Sequence, residues 1–141
     1  MKGYNLEIPI TVRFKDTDQL GHVNNANYLV YMEAARMEYF RQTFGDNVNW
    51  LKQGVILARA EVDFLLPIFM HDAITVCLRC SRIGNKSFDL DYKIIRKKDN
   101  LEEIVGAGMT VLVAYNYGNN ETIPIPETWK KSMEEFDGNG G

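Results

Sequence analysis

Residues 28–44 read YLVYMEAARMEYFRQTF, seventeen positions without glycine or proline. Leu, Ala, Met, Glu and Arg are good helix formers, so the stretch predicts one long helix. Tyr28, Tyr31, Met32, Ala35 and Tyr39 recur at helical spacing on one face. Leu29, Val30 and Phe40 carry the apolar surface well beyond a single stripe. Such a helix demands burial on more than one side. Gly45 offers a stop, and Asn24, Asn25 or Asn27 a cap at the start.

The rest of the chain must supply the covering, and beyond the helix the hydrophobic period is two rather than 3.6. Ile56, Ala58, Ala60, Val62 and Phe64 alternate with more polar neighbours. Ile74, Val76, Leu78 and Cys80 do the same, as do Phe88, Leu90, Tyr92 and Ile94, then Val105, Ala107, Met109, Val111 and Val113. These read as half-buried strands. A first strand precedes the helix at residues 6–14, LEIPITVRF, rich in β-branched residues. Gly84-Asn85 and Asp99-Asn100 carry turn chemistry, which predicts hairpins. Pro67 sits near a strand end, where a missing donor is tolerated. Residues 126–136 read as a short closing helix with Pro126 at its start. The expectation is an α+β domain spanning 1–136, an antiparallel β-sheet wrapped around a long central α-helix. Residues 137–141, DGNGG, read as a flexible tail.

Composition removes several function classes. With a net charge of −3 and a pI near 5.4, nucleic acid is not the expected partner. No apolar run reaches membrane-spanning length, and the first residues lack a signal-peptide block, so a cytoplasmic protein is expected. Cys77 and Cys80 stand as CLRC, a spacing known from metal and redox sites. Two thiolates do not complete a structural zinc site, and residues three apart on a strand face opposite sides. Ordinary thiols in a reducing compartment are expected, and no metal site.

The stretch DTDQLGHVNNANY, residues 16–28, suits no packed core. It leads directly into the helix, whose N-terminus offers unpaired N–H groups and the positive end of a dipole. Gly21 lets the backbone turn closely there. With Arg13, Asp16-Thr17-Asp18, Gly21, His22-Val23-Asn24-Asn25, Tyr28, Glu33 and Arg36, the segment resembles the opening signature of the hotdog-fold acyl-CoA thioesterases, 4-hydroxybenzoyl-CoA thioesterase-like family. Pro67, Asp72 and the NKSF turn fit the later layout, and the resemblance runs to about Pro126.

That resemblance implies hydrolysis of an acyl-CoA to a free acid and coenzyme A. It implies Asp18 as general base or nucleophile and the backbone N–H of Asn25 as the group polarising the thioester oxygen. His22 would orient water or Asp18, or be an ordinary loop histidine. Asp16 reads as a loop-holding residue, and Glu33 with Arg36 as an ion pair. His71 reads as a surface residue. For coenzyme A, whose phosphates favour Lys and Arg, the candidates are Arg82, Lys86 and Ser87, with Arg59 facing the nucleotide or a partner subunit. Tyr28, Met32, Leu57 and Phe64 either line an acyl pocket or belong to the core. The resemblance implies no cofactor beyond the substrate's own coenzyme A, and a homodimer or homotetramer with sheets joined edge to edge. Two alternatives stay open: an acyl-carrier-protein thioesterase using Arg79, Arg82 and Lys86, and a non-catalytic acyl-CoA-binding module.

Overall fold

The helix-forming run becomes α1, Ala26–Phe44, in a computed structural model that describes residues 1–138. Its buried face carries Tyr28, Tyr31, Met32, Ala35, Tyr39 and Phe40, the stripe expected from the spacing. Leu29, Val30 and Met37 stay 42–56% exposed on the other side. Around α1 lie β1 (Leu6–Ile10), β2 (Gly54–Phe64), β3 (Ala73–Ile83), β4 (Ser87–Lys98), β5 (Leu101–Asn116) and the two-residue β6 (Glu121–Thr122). The chain closes with α2, Glu127–Phe136, capped by Pro126. The strand order is β1-β3-β4-β5-β2, with β6 on β5, and every pairing is antiparallel. This is an α+β fold in which one sheet wraps one long helix.

β3 and β4 bury the sets that alternation predicts, Ile74, Val76, Leu78 and Cys80 against Phe88, Leu90, Tyr92 and Ile94. β5 meets expectation at Val105, which is buried in the core, and departs from it past a register irregularity opposite Ile94 and Ile95. Thr110, Leu112 and Ala114 are buried, while Ala107, Met109, Val111 and Val113 lie half-buried on the outer face. The reason is steric: Gly106 and Gly108 occupy the helix-facing positions. A Cβ on Gly108 would stand 2.7 Å from Met32 Cε and 2.9 Å from the Glu61 carbonyl oxygen. A Cβ on Gly106 would stand 3.3 Å from the Tyr28 ring. The first turns of α1 therefore sit directly on a side-chain-free patch of strand.

β2 also departs from simple alternation. A bulge between Leu57 and Arg59 resets its parity. Ile56 pairs with outward-facing Val113, whereas Val62 pairs with inward-facing Gly108. As the sheet's last strand it leaves Ile56, Leu57 and Phe64 36–48% exposed. The first strand ends at Ile10, short of residue 14, because Phe14–Asp16 turn into a 3-10 segment.

Cys77 and Cys80 are free and buried, Cys80 within the core and Cys77 on the other sheet face. Burial pushes their thiols up to about 11 and about 12, so neither is an ionised nucleophile at neutral pH. The expected flexible tail needs a correction at its first residue. Asp137 Oδ2 accepts from the Tyr39 hydroxyl at 2.6 Å and the Cys80 N–H at 3.1 Å. These bonds tie the end of α2 to α1 and β3, and burial lifts the Asp137 carboxyl above its usual range. Residues 139–141 lie outside the described residues.

Candidate active site

The polar stretch before α1 is organised by Asp16, 1% exposed. Its carboxylate accepts from the Arg13 N–H at 3.0 Å, from Arg13 Nη2 at 2.9 Å and from the Tyr31 hydroxyl at 2.8 Å. Burial alone would raise its pKa, but the bonds from Arg13 and Tyr31 outweigh that and hold the carboxyl below its ordinary value. Its backbone oxygen accepts from the Asn24 N–H at 2.8 Å and from Asn27 Nδ2 at 3.0 Å. One residue thus fastens the loop to the first two turns of α1.

Residues 18–22 form a tight turn. The Asp18 N–H donates to the His22 oxygen at 2.8 Å, and the Gly21 N–H to the Asp18 oxygen at 3.0 Å. Gly21 has φ +82°, a conformation that side chains disfavour. Asp18 Oδ1 accepts from the N–H groups of Leu20 at 2.9 Å and His22 at 3.3 Å. Oδ2 has no partner among the described residues. The carboxylate is therefore held by one oxygen and presents the other.

The helix start singles out one donor. Asn24 Oδ1 accepts from the Ala26 N–H at 2.9 Å, the Asn24 oxygen from the Asn27 N–H at 2.9 Å, and the Asn25 oxygen from the Tyr28 N–H at 3.2 Å. Asn25 already has helical φ −54° and ψ −34°. Its own N–H has no acceptor among the described residues. An unpaired amide at the positive end of a nineteen-residue helix is a ready site for developing negative charge.

Asp18 and Asn25, both exposed, belong to the lining of one cleft of about 220 Å³, with His22, Val23, Tyr28 and the segment 64–67. That segment, running out of β2, is the opposite wall. It is pinned to the loop by the Val23 N–H on the Ile68 oxygen at 2.7 Å and by the His22 ring, edge-on to Phe69 at 5.0 Å. Arg96 holds it from behind, donating to the Pro67 oxygen at 2.7 Å and to Asp72 at 3.0 Å. Tyr28 forms the floor. It is 2% exposed, stands edge-on to Phe64 at 4.9 Å and donates its hydroxyl to the Leu66 oxygen at 3.0 Å.

Of the sequence candidates, Asp18, His22, Asn25, Tyr28 and Phe64 meet here. Met32 does not reach the cleft and packs under Gly108, and Leu57 lies exposed on the sheet edge. Arg59, Arg82, Lys86 and Ser87 do not line the cleft of their own chain. Arg59 pairs with Glu61, Arg82 with Asp89 at 2.9 Å and with Ser87 Oγ at 2.9 Å, and Lys86 reaches Thr122 Oγ1 at 3.4 Å. Arg79 lies 3.8 Å from Asp91 and over the Tyr4 ring. Glu33 and Arg36 form the expected pair at 3.7 Å, and His71 is exposed in its turn. Sequence reasoning missed Leu65, Leu66 and Val23 as lining residues and the Tyr31–Asp16–Asn27 network. Among the described residues no group of three metal-ligating side chains is assembled, and no helix is long and apolar enough to cross a membrane.

One antiparallel sheet around one long helix is the hotdog arrangement of the thioesterases it matches. The chain belongs to the thioesterase-like superfamily, whose family model matches residues 12–133. A thioesterase from Thermus thermophilus, solved in complex with coenzyme A and Zn, is 34% identical, with a TM-score of 0.85 and 98% of each chain covered. A 1,4-dihydroxy-2-naphthoyl-CoA hydrolase from Thermosynechococcus vestitus is 26% identical over 131 residues, 89% of this chain and 88% of its own. The long-chain acyl-CoA thioesterase FadM of Escherichia coli is 19% identical over 134 residues, 93% of this chain and 98% of its own.

Proposed function

We propose that the chain hydrolyses an acyl-CoA thioester to a free acid and coenzyme A. The carrying observation is that Asp18, whose Oδ2 has no partner among the described residues, and Asn25, whose N–H has none, line one cleft. The thioester oxygen sits on the Asn25 amide, which stabilises the negative charge that grows on attack. Asp18 Oδ2 acts in one of two balanced ways. As a base it takes a proton from water while the water oxygen bonds to the carbonyl carbon and the C–S bond breaks. As a nucleophile it bonds to that carbon itself, expels the thiolate, and leaves a mixed anhydride that water then opens. His22 lines the same cleft and orients the water. Water is the only co-substrate, so no cofactor is required.

Coenzyme A is favoured over an acidic carrier protein as the leaving group. Recognition of such a carrier would need a net positive patch, and Arg79 and Arg82 each already have an Asp partner. Lys86 and Ser87 then meet the coenzyme A of a neighbouring subunit's site, while Arg59 stands on the exposed β2 edge, with β5 between. Thiol release measured across short, long and aromatic acyl-CoAs, and across the matching acyl-carrier-protein esters, tests the reading. Turnover on at least one acyl-CoA is expected, faster than on its carrier-protein counterpart. Binding without thiol release across the whole panel would leave a ligand-binding module in its place.

The subunit boundary follows from the unpaired edge of β2. Edge strands are rarely left open, and here Ile56, Leu57 and Phe64 are exposed, as are Leu29 and Val30 of α1. A second copy joins along β2 to give a symmetric dimer, the unit from which a tetramer is built. Leu57→Lys is expected to shift the light-scattering mass from two or more chains to one. A wild-type protein already at a one-chain mass at micromolar concentration would refute the edge pairing. A cytoplasmic setting accords with two buried free thiols.

A further inference from the structure

We infer that Tyr31 is a positioning residue for the thioester-cleaving pair, acting through Asp16 to fix how the Asp18 loop meets the Asn25 amide. The inference rests on Asp18 and Asn25 being that pair.

Asp18 belongs to the loop and Asn25 to the helix, and their relation depends on whatever joins loop to helix. Asp16 is that joint. Its carboxylate is held from the loop side by Arg13 and from the helix side by the Tyr31 hydroxyl at 2.8 Å. Its backbone oxygen takes the Asn24 N–H, one residue before Asn25, and Asn27 Nδ2, two residues after it. The residues flanking the Asn24–Asn25 peptide are thereby tied to Asp16 on both sides. Asp18 follows Asp16 by two residues, so the same joint sets where the Asp18 turn begins. Tyr31 is 3% exposed and lines no part of the cleft, so it touches no substrate. Its ring packs in the core, but its hydroxyl donates its one proton to Asp16.

A hydrogen bond that only held the fold together would affect stability and leave turnover per folded molecule alone. A positioning bond affects the geometry of attack, to which rates are acutely sensitive. The molecule contains its own control. Tyr39, on the same helix, is also buried and also donates its hydroxyl to a carboxylate, Asp137, at the other end of the rod. Both Tyr→Phe changes keep the ring and delete one such bond.

The test compares Tyr31→Phe with Tyr39→Phe on the best acyl-CoA, at a temperature where both are folded. Tyr31→Phe is expected to lower kcat by about tenfold with KM changed less than about twofold, while Tyr39→Phe keeps the wild-type kcat. A second readout is the carbonyl stretch of an acyl-CoA bound to Asp18→Asn protein, which reports the bond to the Asn25 amide. It is expected at lower frequency than in free substrate, and Tyr31→Phe is expected to move it back toward the free value. If Tyr31→Phe does not fold, Asn27→Ala removes the half-buried strut on the Asp16 backbone oxygen and is expected to give the same two signatures. Equal kcat values for Tyr31→Phe and Tyr39→Phe, with an unmoved carbonyl stretch, would overturn the role of Tyr31. A stretch that shows no lowering even with Tyr31 intact would instead remove the Asn25 assignment.

Discussion

Asp18→Asn is expected to lower thiol release by about a thousandfold and to leave the melting temperature nearly unchanged. The two halves of that expectation have separate causes. Asparagine keeps an Oδ1 acceptor, so the N–H groups of Leu20 and His22 retain the partner that shapes the turn. The amide nitrogen that replaces Oδ2 is neither a base nor a nucleophile, so neither route to C–S cleavage survives. Asp18→Ala separates the effects, since it loses the same chemistry and also leaves two turn N–H groups without their acceptor, at a cost of about 1 kcal/mol. Thiol-release kinetics on the best acyl-CoA, paired with a thermal melt of each variant, provide the check. Asp18→Asn turning over at the wild-type rate would remove the carboxylate from the mechanism altogether.

Phe40→Ala is the substitution expected to cost the most stability. Phe40 is 2% exposed and packs with Phe44 at 5.2 Å, Trp50 at 5.8 Å and Phe88 at 6.2 Å between ring centroids. Phe44 in turn stacks on Trp129 of α2 at 4.2 Å. The cluster joins α1, β4, the loop after α1 and the closing helix. Truncating a buried phenyl ring in such a setting costs about 3–5 kcal/mol, a fall in melting temperature of roughly 10 °C for a chain of this size. Phe40 lies about four turns along α1 from Asn25, so turnover per folded molecule should stay near wild type. Denaturant melts with kcat measured at low temperature test both parts. A melting temperature within about 2 °C of wild type would show that the aromatic cluster does not anchor the helix.

Sequence pattern read α1 well because its signal is long and its buried stripe coincides with its chemistry. Tyr28, Tyr31, Met32, Ala35 and Tyr39 are apolar or aromatic, and all are buried. β4 was legible for the same reason. β5 was not, because its inner face runs Gly106, Gly108 and Thr110 before any large side chain at Leu112, while Met109 and the valines at 111 and 113 face outward. Hydropathy follows side chains, and here the helix approaches where side chains are missing. The parity reset in β2 left no mark either, since Leu57, Ala58 and Arg59 do not reveal which of them is extra. At the cleft, the crowding of polar groups before a helix marked the stretch as no packed core, and only the resemblance to a family motif singled out Asp18 and Asn25 within it. Tyr31 was hidden within the core stripe, and nothing in a sequence shows that its hydroxyl points at a residue fifteen positions earlier. Asp137 read as tail because DGNGG has turn composition, whereas its carboxylate turns inward onto Tyr39.

The two ends of α1 serve different masters: the cleft lies at Asn25, and retention of the closing segment gathers at Tyr39. Roughly 20 Å of rod separates them. Substitutions at the retention end are thus expected to change stability while leaving turnover per folded molecule alone. The same separation recommends that end for a fluorescent fusion or a bead linkage, which would stand clear of incoming substrate.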